Sequence, residues 1–373
     1  VKRALLVVAA LAAAPLATAQ DLAIQAGNVV VHANQAPLQG ATVLIRKGKV
    51  VAVGKDVKVP KGIEIVRRPK AWIVPGFVDA RVALGLRGDL DERATPVSPD
   101  VDLAVRLDPG HADYAAARRS GITTAALLAG DGNLFSGAGV LLKTTGNAFG
   151  SPIAKLALAP SVQSRSRPPT SRSGAVALLR KTLEKAHSDK GSRSVLARFA
   201  RGDVVGLCAV GGAADLRELL ALRDRFGLRV VLQLRSLVRP EEIADLNLKG
   251  TFVALGATGL KGSRRARTQA KWLAARGARV LFVSGYPHTP VVSNRISAHH
   301  AVQAGLPAKQ ALAALTTAPA AALGISDQVG SLEVGRHGDL VVLSGAPLDL
   351  RSRVQEVYVL GKRTWSHPAK EER

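Results

Sequence analysis

Eight short apolar runs alternate with helical stretches between residues 72 and 328, and two shorter strand-rich segments flank them. Together these observations predict an α/β chain: a (β/α)8, TIM-like barrel plus a small composite β-sandwich domain built from both chain ends. The eight runs fall at residues 72–78, 122–128, 139–143, 153–158, 204–209, 230–234, 252–255 and 280–283. Helical periodicity falls at 112–120, 174–187, 213–226, 264–276, 298–304 and 308–314, the alternation of a parallel sheet with covering helices. In such a barrel the functional groups gather at the C-terminal strand ends.

The flanking segments follow from turn chemistry. Residues 20–71 carry strand-like runs at 28–32, 41–46, 50–53 and 63–66, punctuated by Gln39-Gly40, Lys47-Gly48 and Pro60-Lys61-Gly62. Residues 329–366 carry runs at 330–332, 340–343 and 354–360. Each segment alone is small to bury a core, so the two are expected to pair around a barrel spanning 72–328, with a short tail at 367–373. The Ser-, Arg- and Pro-rich stretch 161–173 reads as a loop after the fourth strand.

At the start, Val1-Lys2-Arg3 precedes an apolar run over 4–16 and the small residues Ala17-Thr18-Ala19. This is the pattern of a secretory signal peptide over 1–19. It predicts export to the periplasm or the extracellular medium, with no membrane-spanning segment after cleavage, since the run is short for a bilayer.

Hydrophobic residues make up 47% of the 373-residue chain, enough for a sizeable core. Cys208 is the single cysteine, so no intrachain disulfide forms. The net charge is +24, with 52 Lys and Arg against 28 Asp and Glu, and the basic residues concentrate at 165–193 and 261–279. Neither stretch is interleaved with aromatics, so nucleic acid is not the expected partner. A solvated basic surface is the first reading, and a binder of anionic polymers the alternative.

The chemistry-bearing text begins at Pro75-Gly76-Phe77-Val78-Asp79-Ala80-Arg81-Val82-Ala83. Further on, Thr316-Thr317-Ala318-Pro319-Ala320 precedes Gly330-Ser331-Leu332-Glu333-Val334-Gly335 and Gly338-Asp339-Leu340-Val341. These motifs, in this order, resemble the amidohydrolase superfamily, and Gly121-Ile122-Thr123-Thr124 is similar to its imidazolonepropionase-like secreted branch. By themselves the motifs serve turns and β packing, and so certify fold rather than chemistry.

The resemblance implies a metal-dependent hydrolase of C–N bonds, of amide or cyclic amide type, whose dication acidifies a water. It also implies where the ligands should stand: two His on strand one, often a carboxylated Lys on strand four, His on strands five and six, and an Asp on strand eight. This chain departs from that set. The seats hold Arg81 and Ala83, then Lys155, then Cys208, then Gln233 or Leu234, then Gly285. Alanine has no ligand atom and a guanidinium has no lone pair. No metal or other cofactor is therefore expected; zinc or another divalent ion belongs to the alternative in which the site still works.

The remaining histidines do not refill the site. His288, just past strand eight, is the one expected at the barrel mouth, with His111 a weaker candidate; consecutive His299 and His300 cannot face one ion on a helix. Asp79, Arg81 and His288 are the candidate ligand-binding residues, and Asp79, Arg81 and Lys155 are expected to form a salt-bridge network where the ions would sit. Cys208, Lys155 and His288 are the candidates for any unorthodox catalysis, although a lone Cys on an apolar strand ordinarily packs.

The sequence thus predicts an exported, catalytically silent relative of a metal-dependent hydrolase. Its expected role is binding or scaffolding, beside an active paralogue or as a homo-oligomer, with a small amide or anionic molecule as ligand. The alternatives are an active hydrolase with an atypical site and the anionic-polymer binder.

Overall fold

The computed structural model describes residues 21–86, 88–164, 167–257 and 264–368. The signal-like segment at 1–19 and the end of the tail lie outside the described residues.

Five strands lead: β1 (Leu22–Val29), β2 (Leu38–Gln39), β3 (Thr42–Arg46), β4 (Lys49–Gly54) and β5 (Glu64–Pro75). Then β6 (Phe77–Val82), α1 (Asp113–Arg119), β7 (Ile122–Leu127), β8 (Phe135–Lys143) and β9 (Ile153–Leu158) begin the central unit. It continues with α2 (Arg172–Ser188), α3 (Val195–Ala200), β10 (Gly206–Val210), α4 (Ala213–Phe226), β11 (Val230–Leu234) and β12 (Phe252–Leu255). It ends with α5 (Arg264–Ala275), β13 (Arg279–Phe282), α6 (Ser293–Gln303), α7 (Ala308–Ala313) and α8 (Thr317–Ala322). Strands β14 (Leu340–Leu343), β15 (Val354–Val359) and β16 (Lys362–Ser366) close the chain.

The two chain ends share one hydrogen-bonded sheet in the order β16-β15-β14-β5-β1-β3-β4, with β2 beside β1. The joining ladder is antiparallel: Leu340 to Leu343 of β14 pair with Pro75 to Trp72 of β5. One face buries Ile24, Val43, Ile45, Ile73, Leu340 and Tyr358. Residues of opposite parity, among them Val74, Val341, Val357 and Val359, join the large cluster that includes Tyr114 and Ala117 of α1. Alternation of side chains thus lets one ladder serve two cores.

The run read at 72–78 divides. Its first half belongs to β5 and the terminal sheet, and its second half opens the barrel as β6. Gly76 stands at the division, where a Cβ would lie 2.1 Å from Thr123 Oγ1 and so forbids any larger residue.

Strands β6 to β13 form the second eight-stranded sheet, curled so that β13 returns toward β6 in a nearly closed barrel. Its interior holds Val78, Ala80, Ala126, Leu207, Val231, Ala254, Leu281 and Val283. The third strand departs from the expected all-parallel order: β8 runs antiparallel to both β7 and β9. The connections at 128–134 and 144–152 carry no helix, and a parallel neighbour requires a crossover of about a dozen residues or more. The barrel is therefore a (β/α)8 variant with one hairpin strand.

A buried ion pair joins barrel to terminal sheet. Lys143, at the end of β8, reaches Asp339 Oδ2 at 2.5 Å and donates to Thr124 Oγ1 at 3.2 Å. The other Asp339 oxygen accepts the Leu360 N–H at 2.8 Å. Truncating Asp339 strands an ammonium away from water. Asp339→Ala should therefore cost about 3–5 kcal/mol in urea denaturation, against about 1 kcal/mol for Thr124→Val, which removes one neutral acceptor.

Candidate functional site

A cleft of about 870 Å³ opens where the loops after β6, β7, β9, β11 and β13 converge, the C-terminal strand face on which barrels of this type carry their chemistry. Its centre is a carboxylate that sequence reading passed over. Asp131 sits in the turn Gly130-Asp131-Gly132 between β7 and β8, and such Gly-Asp-Gly text ordinarily signals only a tight connection.

Three cations from three different strands meet Asp131. Lys155 Nζ, from β9, lies 2.7 Å from Oδ1. Arg81, on β6, lies 3.3 Å from Oδ2, and Arg235 Nε, directly after β11, lies 3.2 Å from the same oxygen. Burial alone would raise the Asp131 pKa, but the charges of Lys155, Arg81 and Arg235 overcome it and hold the carboxyl far below its usual range. Lys155 is fully buried, and burial pulls its pKa down against the upward pull of Asp131. Its ammonium also donates to the Leu156 carbonyl at 2.7 Å.

The glycines beside Asp131 serve a close approach. A Cβ at Gly130 or Gly132 would fall 2.4 or 2.7 Å from Asp91 Oδ2, and that oxygen accepts the Gly132 N–H at 3.0 Å. Arg167 donates from the opposite side to the Gly132 carbonyl at 2.9 Å. The Ser161 hydroxyl donates to the Asp131 carbonyl at 2.7 Å. Backbone and side chain of this turn are thereby pinned from the loops after β6, β9 and β11.

The structure redraws the expected salt-bridge network. Arg81 and Lys155 do meet, but at Asp131 rather than Asp79. Asp79 is fully buried, its two oxygens taken by the N–H groups of Arg81 (3.1 Å) and Ser284 (3.0 Å). It is a clasp between β6 and the residues after β13, where the barrel closes. Burial pushes its carboxyl up to about 6.

His288 lines the cleft and is exposed on its rim. Ala83 and Tyr286 are joined by the Ala83 N–H donating to the Tyr286 carbonyl at 3.0 Å. The Tyr286 hydroxyl in turn donates to Asp113 Oδ1 at 2.7 Å. His111 is turned to this Asp113, whose N–H it accepts at 3.2 Å. His299 faces the Leu348 carbonyl at 2.8 Å. Gly285 adopts φ +70° directly after the strand-eight segment.

Cys208 takes another place than its alignment suggested. Leu207 belongs to the barrel interior, so alternation turns Cys208 outward, where it packs with Leu156 and Leu232 among residues facing the helices. Burial pushes its thiol up to about 12, and it stays protonated at neutral pH. The inward seat on β10 is Ala209, paired with Gln233 of β11. Gln233 is buried beneath Arg235, and its Oε1 has no hydrogen-bond partner among the described residues.

These residues do not fit a dication. The positions at which the sequence resemblance would place ligands present a guanidinium, a methyl group, an ammonium already paired with Asp131, a second methyl group, an amide and a glycine. A cation placed there would meet Arg81, Lys155 and Arg235 without gaining a thiolate, imidazole or free carboxylate. Among the described residues no group of three or more His, Cys, Asp or Glu is arranged to hold a metal.

Two stability tests follow from this geometry. Asp131→Asn removes the charge facing a buried ammonium and should cost about 3–5 kcal/mol by chemical denaturation. The pH dependence of the two aspartates has opposite sign. Asp131, with a depressed folded pKa, stabilises above its ordinary 3.8 and loses that contribution as pH falls through the folded value. Asp79 binds its proton more tightly when folded, so its contribution is full below 3.8 and is lost as pH rises through about 6. The stability of wild type relative to Asp79→Asn should accordingly fall between pH 4 and 6 and level off above it, read by melting temperature against pH.

Comparison with known proteins agrees with this architecture. Residues 220–364 match the model of the amidohydrolase family. The amidohydrolase tasK of Hapsidospora irregularis is 31% identical over 98 residues, which is 26% of this chain. The chain spans only 10% of that protein's length in the match. An amidohydrolase from Thermotoga maritima MSB8 superposes with a TM-score of 0.82 at 23% identity, covering 93% of this chain and all of that one. Molinate hydrolase superposes at a TM-score of 0.59 and 17% identity, covering 93% and 95% of the two chains. A prolidase complexed with N-methylphosphonate-L-proline reaches 0.60 at 18%, covering 93% and 100%. At these identities the structural likeness is one of fold.

Proposed function

We propose that this chain, of the amidohydrolase superfamily by its matched segment and its fold, descends from a C–N bond hydrolase and now works without a metal as a binding or scaffolding protein. Within the superfamily we place it with the imidazolonepropionase-like secreted branch. The observation that carries the reading is the occupation of the ligand seats: Arg81, Lys155 and Arg235 converge on Asp131 where metal-dependent relatives need electron-pair donors. Fixed cations have replaced a bound one. The chemistry a dication supplies, an acidified water and a polarised carbonyl, has no donor set here to hold it.

The alternative of an unorthodox hydrolase receives no support from Cys208, a buried thiol directed away from the cleft. His288 has access to the cleft, and among the described residues the cleft wall holds no second imidazole and no thiol. The exposed Arg264 and Arg265 at the start of α5 leave an anionic-polymer role as a second surface-based reading. The signal-like start supports export to the periplasm or beyond, and the lost chemistry supports action beside an active paralogue or as a homo-oligomer.

Metal analysis is the direct test. Protein purified without chelator should carry well under one equivalent of zinc, and a tightly held full equivalent would overturn the reading. The combined variant Arg81→His, Ala83→His, Gln233→His and Gly285→Asp should bind zinc at least roughly tenfold more tightly than wild type, by competition with a chromogenic chelator. Aspartate is among the residues that tolerate the left-handed backbone at position 285.

A further inference from the structure

A network whose purpose is only to fill a hollow tends toward charge balance, and this one is unbalanced. Asp131 is a single carboxylate shared by three cations, and Arg167 adds a fourth on the neighbouring carbonyl. The other carboxylates of the wall are engaged in part: Arg93 lies 3.5 Å from Asp89 and 3.9 Å from Asp91 Oδ2, which also accepts the Gly132 N–H, while Asp91 Oδ1 is buried with no hydrogen-bond partner among the described residues. The donor inventory is incomplete in the same place. Arg81 Nε and Arg167 NH1 are buried and have no hydrogen-bond partner among the described residues, and the Arg235 side chain is half exposed to the cleft. Buried N–H groups on a guanidinium are costly to leave unpaired, and surplus positive charge in a partly desolvated cleft attracts an oxyanion.

Resting on the metal-free reading above, we propose that this cleft is a carboxylate-binding site in which Arg81, Arg167 and Arg235 receive the carboxylate of a small organic acid beside Asp131. Asp131 acts as the resident counter-ion that keeps the guanidinium groups in place when the ligand is absent. Planar forks of this kind suit the two oxygens of a carboxylate. The rest of the wall selects the body of the ligand: Leu86, Leu90, Leu128 and Val162 line the cleft, and a cavity of about 870 Å³ is in the range that takes small organic molecules. The ligand class is therefore a small carboxylic acid with an apolar body, recognised at its charged end by arginine and at its other end by aliphatic side chains.

The test uses the full chain, dialysed against chelator and assayed for metal in the same sample, with calorimetric titration at low ionic strength. Phenylacetate, phenylacetamide and inorganic phosphate are the compounds titrated. Phenylacetate should bind at least roughly tenfold more tightly than its neutral amide and more tightly than phosphate. Arg167→Gln and Arg235→Gln, both at partly exposed side chains, should each weaken phenylacetate roughly tenfold while leaving the melting temperature within a degree or two of wild type.

Equal affinity for acid and amide, absence of binding by all three compounds, or indifference to both substitutions overturns the proposal. Tighter binding of phosphate overturns its assignment to carboxylates. A second readout is Asp131→Asn: acetate should raise its melting temperature more than chloride at equal ionic strength, and equal effects of the two salts count against the site. Metal-free protein that fails these tests refutes this inference alone, whereas a tightly bound equivalent of zinc refutes the reading beneath it.

Discussion

The barrel mouth depends on one carboxylate. Asp131 faces an ammonium and two guanidinium groups carried by β6, by β9 and by the residue after β11, and without it three like charges would be forced together in a partly dry space. Coulomb repulsion between unit charges a few ångströms apart is several kcal/mol at the effective dielectric of a protein interior. The interaction is also what sets the conformation of the loops, since Gly130 and Gly132 allow Asp91 and Arg167 to close on the same turn.

On the proposed descent from a metal-dependent hydrolase, this arrangement answers the problem that loss of a metal would create. A dication at a strand-end site gathers side chains from opposite walls of a barrel, and its removal leaves a polar hollow with no internal glue. Here the linking is done by fixed charges, with Lys155 behind and Arg235 in front of the same carboxylate. Buried ion pairs of this kind contribute little net stability over apolar packing, yet they fail badly when one member is removed. The buried Asp131–Lys155 pair is therefore intolerant of substitution, whereas the half-exposed Arg235 adds little to stability. A separate clasp, Asp79 on the N–H groups of Arg81 and Ser284, closes the barrel beneath it without an ion pair.

The barrel and the terminal sheet are likewise joined by a buried charge pair, Lys143 with Asp339, set among apolar side chains. The reversed direction of β8 is what makes this pair possible. The hairpin on either side brings the end of β8 back toward Thr124 and the start of β14, where Lys143 can reach both. A parallel third strand would have ended at the opposite rim.

The sequence alone determined the elements that local pattern encodes. Apolar runs bounded by Gly and Pro placed the strands, helical periodicity placed the longer helices, and residues 81 and 83 read directly as Arg and Ala, without an imidazole. Tertiary structure decided what depends on direction and on distant neighbours. The antiparallel course of β8 lies in connection length and not in the composition of the strand itself. The division of 72–78 between two sheets turns on pairing with β14, some 265 residues away in sequence. The outward face of Cys208 is a matter of register, where one residue reverses the side chain. Asp131 was hidden because a Gly-Asp-Gly turn reads identically whether its carboxylate meets water or three buried cations. Only the folded chain brings Arg81, Lys155 and Arg235 to it, since charge partners are chosen by proximity in space, which local sequence does not carry.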